Sequence, residues 1–468
     1  MNMDSPFRLI PPKLSPPLDD RFKPAALANR AFRREVGAGG ASLVIGLRRD
    51  PAFLSRFETR VFSEDHPQAA ANLFYVERLV KFLLWQRGAY EIEITGPSSL
   101  VEQITQSYAE GGERKFDAQF MGTQVYERDF RVFGNGSAGQ PGADEGGRPL
   151  GGNLNGCRIG FDLGASDRKV SAVVDGEVVF SEEVVWTPAT QADPDYHYGE
   201  ILAGLKAAEA RLPRLDAIGG SSAGIFIDNR PMVASLFRGI PKEKLPEVRS
   251  LFLRISQEMD VPLEVINDGD VTALAGSMSL EDNPVLGIAM GSSQAAGYVD
   301  RHGHILGWLN ELAFAPVDYS LEAPLDEWSG DRGCGSTYFS QQCVFRLAPR
   351  AGIHIPENLP DAGKLRFVQE KLESGHPGAQ QIWESIGIYL GYALAHYADF
   401  YDLKHVLILG RCTSGRGGSL ILEGARSVLR EEFPDLADSI HLQLPDERSR
   451  RVGQAIAAAS LPKIDQEQ

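Results

Sequence analysis

The stretch Arg158–Trp186, R-I-G-F-D-L-G-A-S-D-R-K-V-S-A-V-V-D-G-E-V-V-F-S-E-E-V-V-W, constrains the fold of this chain more than any other. Three apolar runs, Ile159–Leu163, Val170–Val174 and Val178–Val185, are separated by Gly164-Ala165-Ser166-Asp167 and by Asp175-Gly176. Asp-Gly between such runs predicts a tight hairpin, because both residues tolerate the positive φ that a two-residue turn demands. The first turn is of another kind. It sets a carboxylate, two small residues and a hydroxyl (Asp162, Gly164, Ala165, Ser166) at the tip of a buried strand. Glycine there admits a close ligand, and successive backbone N–H groups in such a turn can cradle an anion. Taken alone, the turn fits an ordinary hairpin tip as well as it fits a phosphate loop.

A chain of 468 residues exceeds what one hydrophobic core usually organises, which predicts two or three domains. Its formal charge of −16 disfavours nucleic-acid binding through the overall field. Arg30, Arg33 and Arg34 cluster, as do Arg48 and Arg49, but short basic groups of this kind are usually a solvated face. No membrane segment is expected, since the apolar run Leu73–Trp85 is short and interrupted by Glu77, Arg78 and Lys81. Pro11, Pro12, Pro16 and Pro17 break up any signal-peptide core. The four cysteines, Cys157, Cys334, Cys343 and Cys412, are too widely spaced for a C-x-x-C metal site or a disulfide framework. These features together predict a cytoplasmic enzyme or binding protein.

Along the chain, residues 1–35 are Pro-rich and polar and read as an arm that wraps the protein or stays mobile. A small α/β domain is expected over 36–133. Its elements are a strand at Ala41–Leu47, a helix within Gln68–Arg87 with one buried face, and a strand at Tyr90–Thr95. A helix follows Pro97, and one or two strands are expected within Phe116–Phe133. Residues 134–156 are Gly-rich with almost no large apolar side chain, the composition of a linker. Beyond it, buried strands at Leu215–Gly219, Pro262–Ile266, Val285–Met290 and His405–Leu409 alternate with helices. Two α/β lobes, 157–275 and 276–468, are the expected division.

Four strand ends in these lobes carry Gly with Asp, Ser or Asn: Asp162–Ser166, Ser221–Gly224, Asn267–Asp270 and Gly291–Ser293. Strand ends are where ligands bind in open α/β sheets. The recurrence resembles the two-lobed actin/hexokinase/Hsp70-type ATPase fold (ribonuclease H-like), and within it the ROK sugar kinases. F-D-L-G-A-S-D-R-K-V looks like the family's first phosphate motif, I-N-D-G-D-V-T-A-L-A-G its acidic loop, and G-I-A-M-G-S-S-Q-A-A-G-Y-V its second phosphate motif. Further on, G-W-L-N-E-L-A-F, G-C-G-S-T-Y-F-S-Q-Q and H-V-L-I-L-G-R are similar to its acceptor segment, cysteine segment and adenosine strand.

The resemblance, which runs from about Gly156 onward, implies ATP-dependent phosphorylation of a sugar or sugar-derivative hydroxyl. It implies Asp268 as catalytic base and Asp162, Gly164, Ser166, Lys169, Gly291, Ser292 and Gly410 as contacts for ATP and Mg²⁺. Asp162 would orient the Mg²⁺ through water, since that ion dehydrates reluctantly. Asn267, Glu311 and Ser336 fall at acceptor positions, and a homodimer is a further implication. The chemistry is coherent: a hydroxyl is a poor nucleophile, so a carboxylate must take its proton, while Mg²⁺, hydroxyls and backbone N–H groups hold the phosphoryl charge. The chain also departs from the pattern. Phe314 stands at a zinc-ligand His, Cys334 alone survives of a cysteine cluster, Ser336 replaces a sugar-binding Glu, and Gly276 replaces the Glu closing the acidic loop. No zinc site is therefore expected. A non-catalytic sugar or nucleotide sensor on the same fold is the alternative. A ROK-type transcriptional regulator fits less well, because those carry an N-terminal winged helix rather than β-α-β-α-β.

Overall fold

The structure, a computed structural model, describes residues 7–134, 145, 150–445 and 447–464. Most of the expected linker over 134–156 lies outside the described residues. After an extended segment, helix α1 (Ala25–Val36) leads to β1 (Ala41–Arg48), β2 (Leu54–Val61), α2 (Ala71–Arg87), β3 (Glu91–Thr95), α3 (Ser98–Ser107), α4 (Lys115–Gln119) and β4 (Arg131–Gly134). The four strands form one sheet in the order β2-β1-β3-β4. Two sequence expectations change here. Phe116–Phe133 is mostly helical: α4 runs into a wide π-turn over Phe120–Tyr126, and only β4 is a strand. Phe116 and Phe120 lie four apart and so share a helical face, and their rings stack at 5.6 Å. Helix α2 is buried on nearly every side rather than on one face, because its charged residues are ion-paired in the interior.

The first lobe contains β5 (Cys157–Leu163), β6 (Asp167–Val174), β7 (Glu177–Val185), α5 (Pro194–Glu209), β8 (Ala217–Ser222), the short hairpin β9 (Ile225–Ile227) and β10 (Arg230–Val233), α6 (Leu245–Arg249), α7 (Leu251–Met259) and β11 (Leu263–Asn267). Its sheet runs β11-β8-β5-β6-β7. Asp175 and Gly176 both adopt positive φ, 48° and 86°, and close the β6–β7 hairpin as the Asp-Gly pair predicts. The parallel register matches Leu163 with Ser222 and Ser222 with Asn267, so three strands end together at one edge.

Helix α8 (Asp268–Leu280) leads to the second lobe: β12 (Val285–Met290), β13 (Gln294–Val299), α9 (Gln341–Leu347), α10 (Asp361–Glu373), α11 (Pro377–Tyr397), β14 (His405–Leu409), α12 (Arg416–Glu432), α13 (Pro434–Ala437) and β15 (His441–Gln443). Its sheet runs β13-β12-β14-β15. The last helix, α14 (Glu447–Ala459), returns to the first sheet. A Cβ on Gly160 or Gly219 would lie 2.2 Å or 1.7 Å from its Ala455 or Ala458 carbonyl, so only glycine permits that approach.

The hydrophobic interior is divided unequally. Ile159, Phe161, Ile218, Phe252 and Leu263 centre the core of the first lobe. Phe32, Ile45, Val76, Trp85, Ile288, Trp383, Leu390 and Val406 belong to one continuous cluster that joins the N-terminal sheet to the second lobe. The residues before α1 also lie on that lobe. Leu14 and Leu18 donate backbone N–H bonds to the Tyr392 and Ser385 hydroxyls (3.2 and 3.3 Å), and Ala25 donates to the Val317 carbonyl (3.0 Å). The arm wraps.

Candidate active site

The first candidate element is the tip of β5. Asp162 is paired in register with Ser221 on β8 and with Lys169 on β6. Burial raises its carboxyl above the ordinary aspartate value, although a Ser221 hydrogen bond and the nearby Lys169 favour the charged form. Lys169 Nζ sits 3.1 Å from Asp167 Oδ1. Asp162, Lys169, Ser181 and Glu183 line a cavity of about 170 Å³ beside Gln454 of α14. The turn itself is braced. Gly164 N–H donates to the Asp167 carbonyl (2.9 Å), and Trp186 donates its indole N–H to the Gly164 carbonyl (2.8 Å) and its backbone N–H to that of Ser166 (3.1 Å). Ser166 is exposed at the tip, its hydroxyl donating to Asp167 Oδ2 (2.9 Å).

The second element is the junction of β11 and α8. Asn267 is the helix N-cap: its Oδ1 accepts from Gly269 N–H at 2.7 Å, and its Nδ2 donates to the Gly224 carbonyl at 2.8 Å. Both ends of the amide thus hold the loop together. Asp268 opens α8 and is partly exposed. Burial, and then the negative charge of Asp162, push its carboxyl up to about 6. Gly269 brings this helix end against β13, since Cβ atoms on Gly269 and Gly297 would lie 2.4 Å from the Ala296 carbonyl and 2.1 Å from the Gly269 carbonyl. Asp270, one residue further on, is buried and raised to about 7 by that burial. Its Oδ1 accepts from Tyr298 N–H and Asn310 Nδ2, both at 3.1 Å.

Glu311 completes the acidic group. Its carboxyl is raised to about 7, first by burial and then by Asp268 and Asp270. Asp162 thus acts on Asp268, and Asp268 and Asp270 on Glu311, as like charges that disfavour ionisation. Among the described residues, neither Asp268 nor Glu311 is ion-paired with a Lys, Arg or His. Asp162, Asp268 and Glu311 are therefore coupled in series by charge, the first to the second and the second to the third.

Ser336 lies elsewhere. Its hydroxyl donates to Asp326 Oδ1 (2.8 Å), and the residue lines a cavity of about 380 Å³ with Ser292, Ser293 and Trp328. Gly291, at the end of β12, accepts at its carbonyl from Gln341 N–H (2.8 Å). Gly410, at the end of β14, has φ 100°, and a Cβ there would lie 2.5 Å from the Met290 carbonyl. The end of β12, which opens the second loop, and the end of β14 therefore interlock.

The departures around Phe314 and Cys334 have a physical explanation in the N-terminal unit. Phe314 stacks on Trp85 of α2, centroids 4.2 Å apart, with Phe116 and Phe120 around it. Cys334 is fully buried, its thiol pushed up to about 12 by burial, and faces Asp331 at 3.8 Å. Lys81, also fully buried, places Nζ 3.1 Å from both Asp117 Oδ1 and Asp331 Oδ2. An ammonium and an aromatic ring from α2 thus pack around Cys334 and Phe314. Among the described residues no group of three or more His, Cys, Asp or Glu is placed to hold a metal ion.

Sequence reading flagged Ser221 and Asp270 only as bounds of strand-end segments, with no role for either, and missed Asn310. The second acid of N-D-G-D was a signal for Asp270; Asn310 offered none, because its partners are remote in sequence.

These features define a two-lobed α/β fold of the actin-like, ROK type with an added N-terminal region. Solved structures agree. The chain is 19% identical to a ROK family transcriptional regulator, a homolog of the E. coli MLC protein, over 66% of this chain and 79% of that one, with a TM-score of 0.51. It is 16% identical to the ROK hexokinase from Thermus thermophilus over 64% of this chain and 98% of that one, again at 0.51. A ROK family glucokinase from Streptomyces griseus, solved with glucose and AMPPNP, aligns at 20% identity over 65% of this chain and 99% of that one, with a TM-score of 0.47. No family model matches the sequence, and no curated protein matches it. The fold is shared by sugar kinases and by regulators, and about a third of this chain lies outside the match. Among the described residues no helix is long and apolar enough to cross a membrane.

Proposed function

We propose that the protein is an ATP-dependent kinase acting on a hydroxyl of a sugar or sugar derivative, with Asp268 as general base. The observation that carries this reading is the set of coupled carboxyls Asp162, Asp268 and Glu311, all partly exposed, of which Asp268 and Glu311 are ion-paired with no Lys, Arg or His among the described residues. Carboxyls that repel one another are destabilising unless a ligand supplies protons or positive charge. A general base works best when its pKa lies near the operating pH, and a carboxyl at about 6 meets that condition.

In this reading Asp268 takes the acceptor proton, and Glu311 orients the acceptor through its own hydrogen bonds. Asn267 holds the loop in place through its N-cap bond, with acceptor contact a secondary role. Asp162 fits an Mg²⁺ ion held through water, since its carboxyl has a hydroxyl neighbour in Ser221 but no bonded cation among the described residues. Ser166, Lys169, Gly291, Ser292 and Gly410 would hold ATP. When bound, Mg²⁺ and nucleotide supply the phosphoryl group and screen its charge. Ser336, beside Ser292, is assigned to the nucleotide side of the cleft. ATP, Mg²⁺ and a small polyol are the implied ligands, and self-association into a dimer is part of the proposal.

A coupled assay with Mg-ATP across hexoses, N-acetylhexosamines and polyols tests the reading. Turnover abolished by Asp268→Asn is the expected result, and no turnover on any acceptor refutes it. A sensor is the second reading, favoured by the Asn267 amide being engaged at both ends. It predicts a rise in melting temperature with sugar or nucleotide but no phosphorylated product. The four-stranded N-terminal sheet, fused to the second lobe, weighs against a DNA-binding role.

A further inference from the structure

The C-terminal end of α2 is finished by residues more than two hundred positions away. A helix leaves its last carbonyls without intrahelical partners. Here Leu84 accepts from Gly88 N–H (2.9 Å), but the Trp85 carbonyl accepts from Glu311 N–H (3.0 Å) and the Gln86 carbonyl from Asn310 N–H (2.9 Å). The backbone of the candidate acceptor segment therefore caps a helix of the N-terminal unit. Asn310 is also the point where the segment is strained. Its φ is +50°, a left-handed conformation that non-glycine residues seldom adopt and hold only when the surroundings fix it.

Three elements fix it. Besides the bond to α2, Asn310 Nδ2 donates to Asp270 Oδ1 of α8 (3.1 Å), and its Oδ1 accepts from the Tyr401 hydroxyl beyond α11 (2.9 Å). Asn310 itself is 3% exposed, so these bonds exchange little with water. The neighbouring Gln86 side chain donates to the Phe400 carbonyl (3.1 Å), tying the same helix end to the same turn.

We propose that Asn310 is a positioning residue for the acceptor site, and that through it the end of α2 fixes Glu311 relative to Asp268. The inference rests on the reading of Glu311 as an acceptor contact. It assigns the N-terminal unit a role in acceptor recognition. That unit is then a structural part of the pocket wall, and a shift of α2 is transmitted to the acceptor.

The test uses the full chain with Asn310→Ala and Asn310→Gly. Alanine removes both side-chain bonds and resists the left-handed backbone; glycine removes the bonds but accepts the backbone. With the sugar that the wild type phosphorylates best, Asn310→Ala is expected to raise the acceptor KM tenfold or more. The nucleotide KM should stay within twofold, and Asn310→Gly should recover part of the loss. Unchanged acceptor KM in a folded Asn310→Ala protein overturns the proposal. So does an equal loss for acceptor and nucleotide, which marks a merely structural residue. Where the wild type turns over no sugar, the kinase reading fails, and amide hydrogen exchange of the ligand-free protein decides the positioning role separately. Exchange at Asn310 and Glu311 at least tenfold faster in Asn310→Ala, with α11 unaltered, supports it; equal exchange overturns it.

Discussion

Replacing Asp268 by Asn should make the protein more stable at pH 8 while abolishing the proposed phosphoryl transfer. The folded-state carboxyl titrates at about 6, roughly two units above an unperturbed aspartate. Below about pH 4 both folded and unfolded forms carry the proton, and Asp268 is neutral with respect to stability. As pH rises from 4 to 6 the unfolded chain ionises first, so folding becomes less favourable. Above 6 the full penalty is present, about 3 kcal/mol at roughly 1.4 kcal/mol per unit. The start of α8 opposes this, because a negative charge at a helix N-terminus is favourable by about 0.3–1 kcal/mol. Burial and the neighbouring Asp162 are larger, so the penalty prevails.

Asp268→Asn removes that penalty and also relieves Glu311, whose own elevation Asp268 contributes to. The expected gain at pH 8 is about 2–3 kcal/mol, read as a rise of about 2–3 °C in melting temperature for a chain of this size. At pH 4.5 the gain should fall below about 1 kcal/mol. The assay is thermal unfolding of the ligand-free wild type and variant at both pH values, with turnover measured in parallel. Loss of a general base lowers turnover by about 10²–10⁴-fold. An equal stability difference at the two pH values would refute the reasoning, because it would show that Asp268 does not carry an elevated carboxyl in an acidic cluster. A variant less stable at pH 8 would refute it equally.

Two further substitutions address the supports of the site. Lys81→Met leaves Asp117 and Asp331 short of a buried cation and should destabilise the protein by about 3–5 kcal/mol in urea unfolding; a loss under about 1 kcal/mol would mean the ammonium is not the keystone of that cluster. Gly297→Ala places a methyl 2.1 Å from the Gly269 carbonyl, which forces the start of α8 to move. About 1–3 kcal/mol of stability should be lost, together with most activity, and a fully active Gly297→Ala enzyme would argue against a fixed Asp268.

The two lobes were legible because their signals are local. Asp175-Gly176 specifies its own hairpin, and the apolar runs at Ile159–Leu163 and Val285–Met290 appear as strands within two residues of the expected bounds. The acidic loop was legible for the same reason, with Asn267 as cap and Asp268 as first helical residue inside one short motif. The N-terminal unit was harder to read because its determinants are long-range. Strand β2, L-S-R-F-E-T-R-V, has an interrupted apolar pattern and is specified by pairing with β1. Phe116 and Phe120 are helical because Trp85 and Phe314 receive them. Glu77, Arg78 and Lys81 look like a solvated face until Arg114, Asp117 and Asp331 are brought to them by the fold.

The same long-range contacts engage the residues that depart from the resembled pattern. Phe314, Cys334 and the neighbouring Lys81 are each fully engaged: the ring stacked, the thiol buried against a carboxylate, the ammonium between two acids. A desolvated Lys inserted into that region would be strongly unfavourable unless its partners were kept with it, and Asp117 comes from the N-terminal unit while Asp331 comes from the second lobe. Neither half of the cluster is satisfied alone. The N-terminal unit and the acceptor side of the second lobe are thus interdependent in stability, and the bonds from Asn310 and Glu311 to the end of α2 extend that interdependence to the carboxyl cluster. The N-terminal unit would then act as one wall of the proposed site rather than as an appended domain.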